Sequence, residues 1–289
     1  MRPVVHSACR CPSWQGWGRL CACHFMQGRV SLMQVFHSQH GILRYHDLPG
    51  TGTPLLFIHG LGCASSSDFP RVAADPALAG RRRLLLDLLG AGFSDRPDGF
   101  AYSVAAHAAT VAGLIDQLGL PQLDIVGHSM GGAVAIAASS LRPTRVARLV
   151  LLEPNLDAGG GVFSRSLAAM SEQEFVSRGQ RRMARLASRE GSPLWAGSLA
   201  ASHAPAVHRA AVSLVQGGMP DWRAQLLALA MPRSVVFGAR SLPQPDTEQL
   251  PAMGVAVHVL ADAGHAMSED NPAGLAALLA AILECSHVA

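Results

Sequence analysis

Short apolar runs punctuate the chain at residues 54–58, 84–86, 123–126 (interrupted by Asp124) and 149–152. Each is a few residues long and ends at glycine, histidine or a carboxylate. Runs of that length without alternation fit strands buried on both faces of a parallel sheet. Weaker strand signals precede them at 33–36 and 42–45, around Gly41, and others follow at 234–237 and 255–260. Residues 104–118 place apolar positions at helical spacing, and Gly119 is positioned to end that helix. Residues 272–283 read as a closing helix. From 156 to 232 the strand signals vanish. There, stretches such as 172–189 alternate apolar and charged positions at helical spacing, broken by Gly191, Pro193, Pro205 and Pro220.

Strands alternating with helices predict an α/β fold with a mostly parallel central sheet flanked by helices. The same pattern divides the chain into four parts. Residues 1–32 form an N-terminal extension expected to be disordered, 33–155 the first part of the core, 156–232 an inserted helical cap, and 233–289 the second part of the core. There is no internal repeat.

The run at 123–126 leads into Gly127-His128-Ser129-Met130-Gly131-Gly132 and then an alanine-rich helix from 132 to about 140. Gly127 and Gly131 flank Ser129 in the pattern Gly-x-Ser-x-Gly. A serine at the tip of a tight strand-to-helix turn sits in a strained backbone, and its flanking positions approach too closely for side chains. The turn lifts the hydroxyl clear of the sheet. It also sets the Met130 N–H at a helix N-terminus, where it can meet developing negative charge.

Composition narrows the partners. Of 289 residues, 49% are apolar and 15% charged, which suits one large domain carrying a smaller insertion. All 23 cationic residues are arginine, and the net charge of +3 is too small to argue for nucleic acid. The run Arg81-Arg82-Arg83 reads as a solvated edge just ahead of a strand. No apolar run reaches the ~18 residues of a membrane span. Cys9, Cys11, Cys21 and Cys23 lie beside His24 in the extension, but one-residue spacing is not the usual zinc knuckle, so no metal is expected. Cys63 and Cys285 stand far apart in sequence, which leaves no disulfide framework and makes the cytoplasm the expected compartment.

Four motifs in order carry a resemblance: His59-Gly60, the loop 87–97, the Ser129 turn, and Gly264-His265. Together they resemble the α/β-hydrolase fold superfamily over roughly 33–155 and 234–283. The resemblance implies a serine nucleophile, Ser129, a histidine base, His265, and the chain order serine, acid, histidine. His265 follows the last strand and precedes the closing helix. Of the other histidines, His128 adjoins Ser129 and should point away from it, and His59 sits on the loop after residues 54–58 in a structural role. That loop should supply the second oxyanion donor, the Leu61 N–H, beside the Met130 N–H. Gly60 and Gly62 allow close backbone approach there. Asp87 resembles a structural position of the family. Phe93, Leu61, Trp195 and Trp222 are candidates for the pocket wall or, more commonly, for simple core.

The acid departs from the superfamily's commoner pattern. Many members carry Gly-x-x-Asp after the strand that is 234–237 here, but Gly238-Ala239-Arg240 is followed by Ser241, and Asp246 comes five residues later. Glu153 directly follows the strand 149–152, a position that some members, certain haloalkane dehalogenases among them, use for their acid. Glu153 is therefore the leading acid, ahead of Asp246 and Asp157. The resulting expectation is a serine hydrolase of a small, uncharged, apolar carboxylic ester or related acyl compound, without a cofactor. Ser129 argues against the aspartate-nucleophile dehalogenases and epoxide hydrolases. C–C bond hydrolysis, acyl transfer and cofactor-free haloperoxidase chemistry use the same three residues and stay open. So does a non-catalytic binding protein built on this fold.

Overall fold

The computed structural model describes residues 33–284. The N-terminal extension with its cysteines and His24, and Cys285, lie outside the described residues.

Eight strands form one sheet in the order β1-β2-β4-β3-β5-β6-β7-β8. They are β1 (Gln34–Ser38), β2 (Gly41–Leu48), β3 (Gly52–Ile58), β4 (Arg81–Asp87), β5 (Leu123–His128), β6 (Val146–Leu152), β7 (Arg233–Gly238) and β8 (Ala256–Leu260). The β1–β2 and β2–β4 pairs are antiparallel, and every pair from β4 to β8 is parallel. The apolar runs became the middle of this sheet because both of its faces are covered. Successive side chains point to opposite faces, and both sets are buried. Leu56, Ile58, Leu84, Leu86, Ile125, Leu149, Leu151 and Val235 enter one core, while Leu55, Phe57, Leu85, Val126, Val150, Leu152 and Val236 enter the other. Each such leucine or valine contributes about 1.5–3 kcal/mol of burial.

Helices α1 (Val104–Leu118) and α2 (Met130–Leu141) bury their faces in the first core. The Ser103 hydroxyl caps α1 by accepting from the Ala106 N–H at 3.1 Å, and Gly119 ends it at φ 61°, a left-handed conformation that glycine adopts without strain. Between β6 and β7 the chain is helical: α3 (Val162–Ala168), α4 (Gln180–Arg189), α5 (Pro193–Ala201), α6 (Ala204–Gln216) and α7 (Trp222–Ala228). A π-helical turn, Phe175–Gly179, leads into α4. Helix α8 (Asp246–Ala252) precedes β8, and α9 (Pro272–Glu284) covers the second core. Among the described residues no helix is long and apolar enough to cross a membrane.

The arginine run differs from its expectation. Arg81, Arg82 and Arg83 lie inside β4, not ahead of it. Arg81 pairs with the buried Asp124 at 2.6 Å, and Arg82 pairs with Asp47 at 2.6 Å. The guanidinium of the buried Arg83 donates to the Leu78 carbonyl at 2.8 Å. Long arginine stems cover apolar surface while each head finds its own acceptor, so charge does not exclude these residues from the strand. Trp222 is buried in the first core.

Candidate active site

Ser129 links β5 to α2 at φ 54° and ψ −119°, a left-handed conformation that costs a non-glycine residue of order 1–3 kcal/mol. Neighbouring strands fix the turn. The Ser129 N–H donates to the Leu152 carbonyl at 2.9 Å, continuing the β5–β6 ladder. Its carbonyl accepts from Gly132 at 2.9 Å and from Asn155 at 3.3 Å.

Three glycines make room for this geometry. A methyl on Gly127 would lie 2.5 Å from the Gly131 carbonyl oxygen. A methyl on Gly131 would collide with the Ile58 and His59 carbonyl oxygens. Gly131 is therefore required by the end of β3 and not by its partner glycine. One on Gly132 would meet Pro154 Cβ at 2.6 Å, which lets the end of β6 press against α2.

That strand end carries Glu153, itself at φ 39°. Its N–H donates to the Val236 carbonyl at 3.0 Å on β7. The carboxylate spans two elements. Oε1 accepts from the Gly238 N–H at 2.9 Å, and Oε2 lies 2.7 Å from His265 Nδ1. Burial pushes the Glu153 carboxyl up, but hydrogen bonds from His265, from the Gly238 N–H and from the Ser241 hydroxyl outweigh it, leaving the pKa below the ordinary 4.5. Because a carboxylate occupies Nδ1, that nitrogen carries the proton, and the neutral ring keeps its lone pair on Nε2.

His265 stands on the loop between β8 and α9 with about half of its side chain exposed. The loop is tied down by backbone. The Gly264 N–H donates to Asp270 at 2.8 Å, Asp270 pairs with Arg240 at 2.7 Å, and the Arg240 N–H donates to the Ala263 carbonyl at 2.8 Å. His128 adds another tie. Burial, then the neighbouring His265, hold its pKa down to about 3, so the ring is neutral. Its Nε2–H donates to the His265 carbonyl at 2.8 Å, and the two ring centroids lie 4.8 Å apart with the planes tilted by 46°. Nothing local in the chain signals this contact.

The loop after β3 lies beside Ser129. A methyl on Gly60 would come 3.3 Å from Ser129 Cβ and 3.1 Å from His128 Nδ1. His59 secures the loop from below: Nδ1–H donates to the Gly60 carbonyl at 2.9 Å, and Nε2 accepts from the Leu88 N–H at 3.1 Å. Burial lowers its pKa, in keeping with a neutral ring. Among the described residues the Leu61 and Met130 N–H groups have no protein acceptor. A second contact went unforeseen: the Trp195 indole N–H on α5 donates to the Leu61 carbonyl at 2.9 Å. Trp195 is half-buried, with the exposed Phe163 ring 4.7 Å away, while Phe93 stands out at the surface.

The two alternative acids are engaged elsewhere. Arg223 pairs with Asp157 at 2.6 Å and with Asp246 at 2.8 Å. Ser241, standing where the commoner aspartate would be, directs its hydroxyl to Glu153. Asp87 is buried and accepts from the Ser66 N–H, the Ser66 hydroxyl and the Phe93 N–H at 2.7–3.0 Å, a structural network. Among the described residues no group of three or more histidine, cysteine or acidic side chains could hold a metal ion.

Chemically, the described residues offer a hydroxyl on a strained turn, a histidine with one ring nitrogen fixed by a carboxylate, and free N–H groups at a helix start and a glycine loop. Relatives carry parts of the same chain. The chain is 39% identical over 108 residues to a 2-hydroxy-6-oxo-2,4-heptadienoate hydrolase of Pseudomonas putida, a match covering 37% of this chain and 39% of that protein. The matched stretch thus spans about two fifths of the relative's length. A thermophilic esterase of Thermogutta terrifontis superposes with a TM-score of 0.71 at 23% identity, covering 87% of this chain and 98% of the esterase. An enol-lactonase of Burkholderia xenovorans superposes with the same score at 20% identity, covering 86% and 99%. The family model of the alpha/beta hydrolase fold matches residues 53–205, more than half of the chain and the whole stretch from β3 through the Ser129 turn to Glu153. With the sheet order, the serine turn and this match agreeing, the chain belongs to the alpha/beta hydrolase fold family.

Proposed function

We propose that the protein is a serine hydrolase that cleaves a carboxylic ester or related acyl compound through an acyl-Ser129 intermediate. His265 Nε2 takes the hydroxyl proton as Ser129 Oγ attacks the carbonyl carbon, then returns it to the leaving alcohol. The tetrahedral oxyanion sits on the Leu61 and Met130 N–H groups. Water, deprotonated by the same nitrogen, then attacks the acyl carbon and frees Ser129. Glu153 holds the ring in the required tautomer and offsets the positive charge it acquires. The helices between β6 and β7 act as the cap over the acyl group, and an uncharged substrate suits this reading. The observation that carries the proposal is the 2.7 Å contact between Glu153 Oε2 and His265 Nδ1, set against the strained Ser129 turn.

A second reading follows from the Pseudomonas relative. The same three side chains would hydrolyse a C–C bond beside a ketone, with 2-hydroxy-6-oxo-2,4-heptadienoate as the trial substrate. A series of p-nitrophenyl esters of graded chain length, run beside that dienoate, separates the two. Ester turnover that falls at least ~10⁴-fold in Ser129→Ala supports the proposal. Turnover of the dienoate alone moves the assignment to C–C cleavage. A protein that turns over neither, and that a fluorophosphonate does not label at Ser129, is a binding protein and not an enzyme.

A further inference from the structure

Leu61 stands between Gly60 and Gly62, so its own side chain is the one that braces the two peptides meeting at it. Gly62 has φ +69°, and a methyl there would meet Leu199 Cδ1 at 2.9 Å and Trp195 Nε1 at 3.3 Å. Both neighbours belong to α5, inside the helical insertion between β6 and β7. Three contacts bind α5 to this loop and the turn after it. The Trp195 indole N–H donates to the Leu61 carbonyl at 2.9 Å, Leu199 packs over Gly62, and the Ser198 hydroxyl donates to the Ser67 hydroxyl at 3.0 Å. Leu199 is fully buried and anchors the helix in the main core.

We propose that Trp195 is a positioning residue for the oxyanion hole: its indole N–H fixes the Leu61 carbonyl and so aims the Leu61 N–H at the reaction site. The inference rests on the serine-hydrolase reading above. The physical reason is leverage. The Leu61 carbonyl belongs to the peptide next to the one that carries the donor N–H; the Cys63 N–H closes the turn onto the Gly60 carbonyl at 3.3 Å, and Trp195 holds the Leu61 carbonyl within that turn. His59 holds the Gly60 carbonyl from the sheet side, and Trp195 holds the next carbonyl from the helical side. The donor N–H shares a peptide with the Gly60 carbonyl that His59 holds, and seating of α5 adds the second fixed point on the peptide that follows. Preorganised donors act on the transition state more than on bound substrate, so their loss appears in kcat.

Trp195→Phe keeps the ring and deletes the N–H. The expected result is a kcat lower by about 10- to 100-fold with KM within about threefold, less than the 10²–10³ of losing a donor outright. Phenylboronic acid supplies a readout that simple packing would not move. Ser129 Oγ adds to boron, its proton passes to His265, and one oxygen of the anionic adduct occupies the oxyanion hole. Its inhibition constant should rise by the same factor as kcat/KM falls. A Trp195→Phe enzyme within twofold of wild type in both quantities overturns the inference, as does a loss confined to KM and melting temperature. Ser129→Ala, assayed in parallel, separates the two levels. If it keeps turnover, the hydrolase reading itself fails. If it is inactive while Trp195→Phe is normal, only the role of Trp195 falls. Should the phenylalanine variant not fold, Leu199→Ala probes the same seating and must give the same kcat-dominated loss; a KM-dominated one overturns the inference.

Discussion

The ends of β6 and β7 lie side by side and meet one imidazole by different means. At β6, Glu153 leaves the strand in a left-handed backbone and reaches His265 directly. At β7, Gly238 and Ser241 offer an N–H and a hydroxyl, and both go to the Glu153 carboxylate. One strand end supplies charge, and the other supplies the donors that keep it ionised. Neighbouring parallel strands lie about 4.8 Å apart, within a side chain's reach. The acid can therefore sit on either strand without moving the histidine, and glutamate's extra methylene suits the more distant origin.

Glu153→Gln keeps the shape and removes the charge that offsets imidazolium, so kcat/KM should fall by on the order of 10⁴. Adding Ser241→Asp to that variant moves the charge to the neighbouring strand, and recovery of roughly tenfold or more is expected if the two positions serve one nitrogen. No recovery would mean that the β7 turn cannot reach the ring. Ser241→Ala alone removes one of three hydrogen bonds to the carboxylate and should cost about tenfold at most. It also carries a pH signature. A carboxyl held below its ordinary 4.5 adds stability above that pH and loses it as pH falls through the lower folded value. In Ser241→Ala the folded pKa rises, so in melting temperatures measured from roughly pH 3 to 6 the acid-side loss should begin at higher pH than in wild type. Asp246→Asn should be mildest. It breaks a partly exposed pair with Arg223, so rates should stay within about twofold and the melting temperature should drop only slightly.

Much of this arrangement was legible in the chain. The short apolar runs named the central strands because burial on both faces leaves little alternation to obscure them. The missing aspartate after β7 and the glutamate closing β6 were both visible, and their juxtaposition follows from strand adjacency. The contacts that hold the site were not legible, because they join residues far apart in sequence. His128 reaches the His265 carbonyl across 137 positions, and Trp195 reaches Leu61 across 134. Arg81 to Arg83 hid the start of β4 because their partners, Asp124, Asp47 and the Leu78 carbonyl, give no local cue. Gly131 was readable as a tight position, but the Ile58 and His59 carbonyls that crowd it belong to another strand.

The central claim is that the carboxylate on His265 Nδ1 comes from the end of β6. It is tested most directly by proton NMR of histidine-labelled protein, following the strongly deshielded Nδ1 proton of His265 at a pH where the ring is protonated. That resonance is expected in wild type and unchanged in Asp246→Asn, and it should shift upfield or vanish in Glu153→Gln. Its persistence in Glu153→Gln together with its loss in Asp246→Asn would contradict the assignment and return the acid to the loop after β7.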